Sequence, residues 1–132
     1  MNIPEEEYLF YVGERFQVEF YFTDTGQMPA KEYFEKADNS VRAKLATQIK
    51  RIAEEGRLYD KTHYNLEDRE NKIWAFKPHR DRFFNFFTDD KRIIITNAYR
   101  KQKQKVSKKD LEKAISLKRD YLKRKKAGEY YV

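Results

Sequence analysis

The sequence predicts a single α+β domain in which helices pack on one antiparallel-rich sheet. Three patterns support this fold class: an early segment with strand-like alternation, two segments with helical apolar stripes, and three short apolar segments joined by tight turns. A chain of 132 residues has room for one core of this kind. Its ten Tyr, ten Phe and one Trp supply ample apolar area to fill that core.

The first predicted strand covers residues 15–23. Its apolar side chains alternate, so they share one face of the strand: Phe16, Val18, Phe20 and Phe22. Residues 1–14 are interpreted as an N-terminal extension, in which residues 8–12 could add a short strand or pack as an arm. Residues 15–132 then form the single domain.

Two helices are predicted after this strand. Pro29 suits the first position of a short helix, and a second helix runs from about Ser40 to Glu55 and ends at Gly56. The second helix carries a buried stripe at spacings of three and four: Val41, Leu45, Ile49 and Ile52. We expect the two helices to form a hairpin, and we interpret residues 57–71 as polar and irregular.

Three strands and a last helix complete the predicted order. The strands cover residues 72–77, 82–88 and 92–99, and the short connections between them predict an antiparallel meander. The last helix runs from about Ser107 to Lys126 and starts like a capping box, with Asp110 three residues after Ser107. The sheet should therefore hold four strands, one N-terminal and three in the meander.

The charge is concentrated near the C-terminus. The chain has a formal net charge of +7, but residues 100–126 alone carry 13 Lys+Arg and 3 Asp+Glu. A basic segment of this kind predicts a polyanionic partner, with nucleic acid the commonest and an acidic protein the second. The absence of cysteine excludes disulfides and thiolate metal sites. With no secretory signal and no membrane-spanning run in the sequence, we expect a cytoplasmic protein.

Three segments between Ile73 and Tyr121 resemble the RelE/ParE superfamily of toxins, specifically its phage-related HigB-like branch. They are Ile73-Trp74-Ala75-Phe76-Lys77-Pro78, Asp81-Arg82-Phe83-Phe84, and the apolar strand from Ile93 to Tyr99 with the basic loop that follows it. Ala114, Arg119 and Tyr121 fit the family pattern in the last helix. The resemblance implies a RelE-like fold and a toxin that cleaves mRNA in the ribosomal A site. It also implies a cognate antitoxin as partner.

The residues present suit this chemistry. RNA carries its own nucleophile, the 2′-hydroxyl, so an enzyme must orient it, stabilise the charge at the phosphate and protonate the leaving oxygen. Cationic side chains can do this without a metal or another cofactor. The catalytic candidates are Lys77, His79, Arg82, Tyr99 and Lys101. The RNA-binding candidates are His63, Arg80, Arg100, Lys103 and Lys105.

Several candidates also have a structural interpretation. Arg82 could form a strand-end ion pair with Asp81, Tyr99 could belong to the core, His79 could simply occupy a turn, and the basic run at residues 100–105 could be a solvated loop. Two histidines alone make a poor metal site, so no metal is predicted. Two other functions stay open: a ParE-like inhibitor of DNA gyrase, and a basic RNA- or ribosome-binding module without activity. RNA binding without cleavage would indicate the second of these.

Overall fold

The structure is a computed structural model that describes residues 2–56 and 62–132. It confirms the α+β class, with a six-stranded mixed sheet and four helices in the described residues. The strands are β1 (Leu9–Val12), β2 (Gln17–Phe20), β3 (Tyr64–Asp68), β4 (Ile73–Phe76), β5 (Asp81–Phe87) and β6 (Arg92–Arg100). The helices are α1 (Glu5–Tyr8), α2 (Pro29–Lys36), α3 (Asn39–Glu55) and α4 (Lys108–Lys126).

The sheet has the strand order β1-β2-β6-β5-β4-β3. Four of its five pairings are antiparallel, and β2 runs parallel to β6. Strand β6 lies near the middle, and its residues Ile93, Ile94 and Ile95 are all fully buried. Such a continuous apolar run is typical of a strand that is covered on both faces.

Helices cover the sheet on both sides. On β5, Phe83 contacts Tyr33 of α2 and Phe86 contacts Tyr121 of α4. Because Phe83 and Phe86 are three residues apart on one strand, their side chains lie on opposite faces. The core is therefore divided between two layers, one under α2 and α3 and one under α4.

Two predictions about the sheet need correction. It has six strands rather than four, because β1 and β3 join its edges. Strand β3 lies within residues 57–71, which were predicted to be irregular; residues 57–61 of that segment lie outside the described residues. Its Tyr64 ring stacks on Trp74 with centroids 5.1 Å apart, and its hydroxyl donates to Asn85 Oδ1 at 2.6 Å. These cross-strand contacts stabilise β3 even though the composition of the segment is polar.

The predicted helices are present, but the predicted hairpin packing is wrong. Helix α2 begins at Pro29, and α3 ends at Gly56, which adopts a φ of +84°. Only Ala37 and Asp38 separate the two helices, yet their principal contacts are with the sheet: α2 packs on β6, and α3 packs on β1, β2 and β4. The apolar stripes of both helices pack against strands rather than against each other.

The predicted N-terminal extension contributes to the sheet. Strand β1 pairs with β2, and Tyr8 is buried against Phe22 and Tyr131. Gly13 follows β1 at a close approach, because a Cβ there would lie 2.5 Å from the carbonyl carbon of Ala53. Tyr8, Phe10 and Tyr11 of this segment thus pack against the core, while the proposed domain boundary after residue 14 stays a prediction.

A buried carboxylate ties the sheet to the C-terminal segment. Glu19 on β2 has no exposed surface and pairs with the Arg92 guanidinium at the start of β6. Its other oxygen accepts a hydrogen bond of 2.6 Å from the Tyr131 hydroxyl, and the Arg92 guanidinium lies 4.5 Å from the centre of the Tyr131 ring. A buried charge needs such partners, so Glu19 links β2, β6 and the last residues of the chain.

We predict that Glu19→Gln lowers the free energy of unfolding by about 2 kcal/mol, because it leaves the half-buried Arg92 without its main counter-charge. Urea unfolding measures the change. Glu55→Gln is the matched control, since Glu55 pairs with Arg51 at 3.9 Å and both side chains are 55% exposed. It should change stability by less than about 0.5 kcal/mol. Equal losses in the two variants would contradict this role of Glu19.

Candidate nucleic-acid interface

The predicted basic residues meet where β5 begins and β6 ends. The register of these strands places Arg82 opposite Tyr99 and Asp81 opposite Arg100. The backbone N–H of Lys101 then donates to the Arg80 carbonyl oxygen at 2.8 Å, which continues the pairing into the next loop. The turn at residues 78–80 and the loop at residues 101–106 therefore lie side by side at this end of the sheet.

A first cleft between the turn and the loop is lined by cations. It has a volume of about 420 Å³, and we call it the basic cleft; its lining residues are Arg80, Arg82, Lys101, Gln102, Lys103 and Gln104. No carboxylate is among these six residues. Four positive charges converge there with two amides, which is the composition expected for binding a phosphate chain.

Backbone carbonyls hold both arginines of the basic cleft. Arg82 Nη1 donates to the carbonyl oxygens of His79 and Asp81, each at 2.9 Å. Arg80 Nη2 donates to the Lys101 carbonyl oxygen at 3.3 Å. An arginine has five N–H donors, so other donors on each guanidinium stay available for a ligand. Arg82 does not form the ion pair with Asp81 considered above, because the Asp81 carboxylate lies against Tyr33 and Arg100.

A second cleft adjoins the first and contains the predicted tyrosine. It has a volume of about 440 Å³, and we call it the tyrosine cleft; it is lined by Tyr99, Arg100, Gln102, Lys103, Lys105, Val106, Ser107, Lys108 and Asp110. Gln102 and Lys103 line both clefts. The two clefts thus form neighbouring compartments on either side of the basic loop.

Tyr99 is held in one orientation. Its hydroxyl oxygen accepts a hydrogen bond of 3.1 Å from the Ser107 N–H, and its ring stacks on Phe84 with centroids 5.6 Å apart. Burial raises the pKa of the Tyr99 hydroxyl above its usual value of 10.0, so the phenol keeps its proton at neutral pH. Tyr99 is both partly buried and part of the cleft, so the core and site interpretations are both compatible with the structure.

The loop is anchored at both ends. Lys101 is tied to Arg80, and Ser107 caps α4 by accepting a hydrogen bond of 3.3 Å from the Asp110 N–H. The predicted capping start of α4 is confirmed, and the Ser107 hydroxyl also donates to the Asp110 carboxylate at 2.6 Å. These contacts fix the path of the five residues between them.

Three candidates lie outside the two clefts. Lys77 forms an ion pair of 3.4 Å with Glu67, and the two side chains are only 17% and 16% exposed. His79 is exposed in the turn with a φ of +57°. His63 precedes β3, and its carbonyl oxygen accepts from the Lys77 N–H at 2.9 Å. Lys77 directly follows β4, whose pairing with β5 ends with Phe76 opposite Phe83, and it is not among the residues that line the basic cleft.

Sequence reasoning did not identify several residues of this interface. Gln102, Gln104 and Lys108 line the clefts, and their position in the basic loop could have indicated this. The pairing of Glu67 with Lys77 could not be anticipated, because it depends on β3, which was not predicted.

Residues 2–56 and 62–132 contain no group of three or more His, Asp or Glu side chains that could hold a metal ion. Over the same part of the chain, no helix has the length and apolar character that crossing a membrane requires.

Comparison with known proteins gives one family match. The family described as "Phage derived protein Gp49-like (DUF891)" matches residues 32–119, which is more than half of the chain. The matched span includes β5, β6, the basic loop and both clefts. No curated protein matches the chain.

Lys77 and Lys103 should differ in their effect on stability. We predict that Lys77→Met lowers the free energy of unfolding by about 1 kcal/mol, because it leaves the Glu67 carboxylate partly buried and unpaired. Lys103→Met should change it by less than about 0.5 kcal/mol, since Lys103 is exposed in the loop. Urea unfolding of both variants measures this difference, and a larger loss for Lys103 would contradict the described contacts.

Proposed function

The chain belongs to the Gp49-like family of phage-derived proteins, and from this we propose that it is the toxin of a type II toxin–antitoxin system and cleaves mRNA on the ribosome. The family is a toxin-like one. The single observation that carries the proposal is the basic cleft, where four cations converge without a carboxylate beside a fixed tyrosine. The finer assignment, a RelE-like toxin of the HigB-like branch, belongs to the same proposal.

The cleft would stabilise charge at the scissile phosphate. In RNA cleavage the 2′-oxygen loses its proton and bonds to phosphorus, the bond from phosphorus to the 5′-oxygen breaks, and the leaving 5′-oxygen gains a proton. Negative charge builds on the other phosphate oxygens during this exchange. Arg82 and Lys101 line one cleft, and Arg82 is oriented by two carbonyl oxygens, so little reorganisation is needed when that charge develops. We assign these two residues to charge stabilisation.

Tyr99 would orient the substrate. Its protonated hydroxyl can donate a hydrogen bond, and the Ser107 N–H fixes the position of its oxygen. Phe84 covers one face of the ring, so only the other face is open for stacking on a base. Lys103 and Lys105, both exposed on the loop, would hold flanking phosphates or ribosomal RNA.

Lys77 and His79 have less direct roles in this proposal. Lys77 is held by its ion pair with Glu67 just after β4, and His79 contributes its carbonyl oxygen to the Arg82 guanidinium. The reaction needs no metal or other cofactor, since cations of the chain supply the charge.

Two partners follow from the proposal. The mRNA in the ribosomal A site would be the substrate, which brings an RNA strand to the clefts. A cognate antitoxin would neutralise the toxin, and an acidic segment that folds on binding suits the charge of the C-terminal part of the chain.

The test is a cell-free bacterial translation reaction, followed by primer extension on the mRNA. New 5′ ends inside codons, formed only when ribosomes translate, are expected. Cleavage of free mRNA would remove the ribosome from the mechanism but keep the nuclease. If a folded protein halts growth without cutting mRNA in either reaction, the nuclease is contradicted and inhibition of DNA gyrase becomes the better explanation.

Substitutions in the basic cleft test whether mRNA cleavage depends on its cations. Arg82→Gln and Lys101→Gln should each reduce cleavage by at least about 100-fold, because each removes a cation aimed at the developing charge. Their unfolding midpoints should stay close to that of the original chain. Lys113→Gln is the matched control, since Lys113 is exposed on α4 and lines neither cleft. Similar losses of stability and activity would contradict the assignment.

A further inference from the structure

The Arg100 guanidinium contacts the buried carboxylate of Asp81. Its Nη1 atom lies 3.7 Å from Asp81 Oδ1, and the Arg100 side chain is 57% exposed while that of Asp81 is 5% exposed. The second oxygen of Asp81 accepts a hydrogen bond from the Tyr33 hydroxyl of α2. Tyr33, Asp81 and Arg100 therefore form a chain of contacts that runs from the α2 layer to the surface.

One oxygen of this carboxylate has no hydrogen bond. Asp81 Oδ1 is inaccessible to solvent and lacks a hydrogen-bond partner in the described part of the chain, although Arg100 faces it. A buried oxygen of this kind costs free energy, and a purely structural contact would normally close to hydrogen-bond distance. The looser contact leaves the guanidinium oriented by charge but able to turn toward a ligand.

Arg100 also lies between two cavities. It lines the tyrosine cleft and a further pocket of about 350 Å³, whose other lining residues are Tyr33, Lys36, Ala37, Asp38, Val41 and Asp81. With Nη1 facing Asp81, the remaining N–H donors of the guanidinium are free to face a phosphate. Arg100 follows Tyr99 on β6, so its side chain leaves the strand on the opposite face, toward Asp81 and α2, at the same strand end where the tyrosine cleft lies.

We propose that Asp81 and Tyr33 are positioning residues, which hold the Arg100 guanidinium at the edge of the tyrosine cleft so that it binds an RNA phosphate next to the one in the basic cleft. The inference rests on the proposed RNA-binding function and deepens it. It adds two residues that touch no RNA themselves, and it links the interface to helix α2.

The direction in which Asp81→Asn changes RNA affinity distinguishes a positioning role from simple charge repulsion. Neutralising an acidic residue near a bound polyanion removes repulsion and should strengthen RNA binding. If Asp81 positions Arg100, Asp81→Asn should instead weaken binding, because the guanidinium loses its orientation. Asp38→Asn is the matched control: Asp38 lines the same pocket, is exposed, and makes no side-chain capping bond to α3. It should leave binding unchanged or slightly tighter.

The experiment measures binding of a short fluorescently labelled single-stranded RNA by anisotropy at several salt concentrations. We expect Arg100→Gln to raise Kd about ten-fold and Asp81→Asn to raise it about three-fold. Tyr33→Phe should weaken binding in the same direction, with its ring still packed edge-on against Phe83. Arg51→Gln, which removes an equally exposed and ion-paired arginine, should leave Kd nearly unchanged.

The double variant decides whether the residues act together. In the Arg100→Gln background, Asp81→Asn should no longer weaken binding and should leave Kd unchanged or lower it, since only the repulsion remains to be removed. Thermal unfolding of each variant accompanies the measurement, and Tyr33→Phe serves as the second variant if Asp81→Asn is unstable. Tighter binding by Asp81→Asn alone, or additive weakening in the double variant, would overturn the proposal.

The RNA-binding experiment and the mRNA-cleavage experiment can fail independently of each other. Coupled effects on RNA affinity without any mRNA cutting would support the positioning role and contradict the nuclease. Ribosome-dependent cutting with no coupling between Asp81 and Arg100 would leave the nuclease and overturn the positioning role. An original chain that does not bind RNA at any salt concentration would overturn the positioning role, while the nuclease is decided by the translation reaction.

Discussion

The antiparallel register between β5 and β6 is the constraint on which the interface depends. Strand β6 is bonded on one side to β2 and on the other to β5, so its position cannot shift without disturbing both pairings. A shift of one residue would also turn every side chain of the strand to the opposite face. The buried side chains of Ile93, Ile94 and Ile95 make such a shift costly on the Asn85–Phe87 side, and a register shift between Phe83 and Asn85 then sets the pairing of Tyr99 with Arg82 and of Arg100 with Asp81.

The two halves of the molecule contribute differently to this end of the sheet. The second half supplies the cations, the tyrosine and the loop, which is anchored at Lys101 and Ser107. The first half supplies support: β2 holds β6 in the middle of the sheet, and α2 brings Tyr33 against Asp81. The Glu19, Arg92 and Tyr131 contacts then tie the far end of β6 to the last residues after α4.

The three longer helices and the meander could be predicted because their signals are local. Pro29, Gly56 and Ser107 mark helix ends through backbone geometry that the residue types themselves favour, and the three strands of the meander follow from apolar segments and short turns. The convergence of Arg80, Arg82, Lys101 and Lys103 follows from that meander.

The remaining features depend on tertiary pairing, which a single sequence does not show. Strand β3 forms because Tyr64 packs on Trp74 and bonds to Asn85, although charged residues surround it in the sequence. Asp81 meets Tyr33 across 48 residues of chain. The contacts of Lys77 with Glu67 and of Asp81 with Arg100 depend on how neighbouring strands pair. Proximity in sequence suggested an Asp81–Arg82 ion pair, whereas alternation along β5 turns the two side chains to opposite faces.

In this interpretation, the end of the sheet formed by β5, β6 and the basic loop meets RNA. The deciding measurement is a titration of isotope-labelled protein with a short single-stranded RNA, followed by backbone amide NMR shifts. We predict that the largest shifts occur in residues 79–82 and 99–108, and that they weaken together as salt increases. Shifts concentrated on the outer face of α4 or along β1, with residues 79–82 and 99–108 unchanged, would contradict the account.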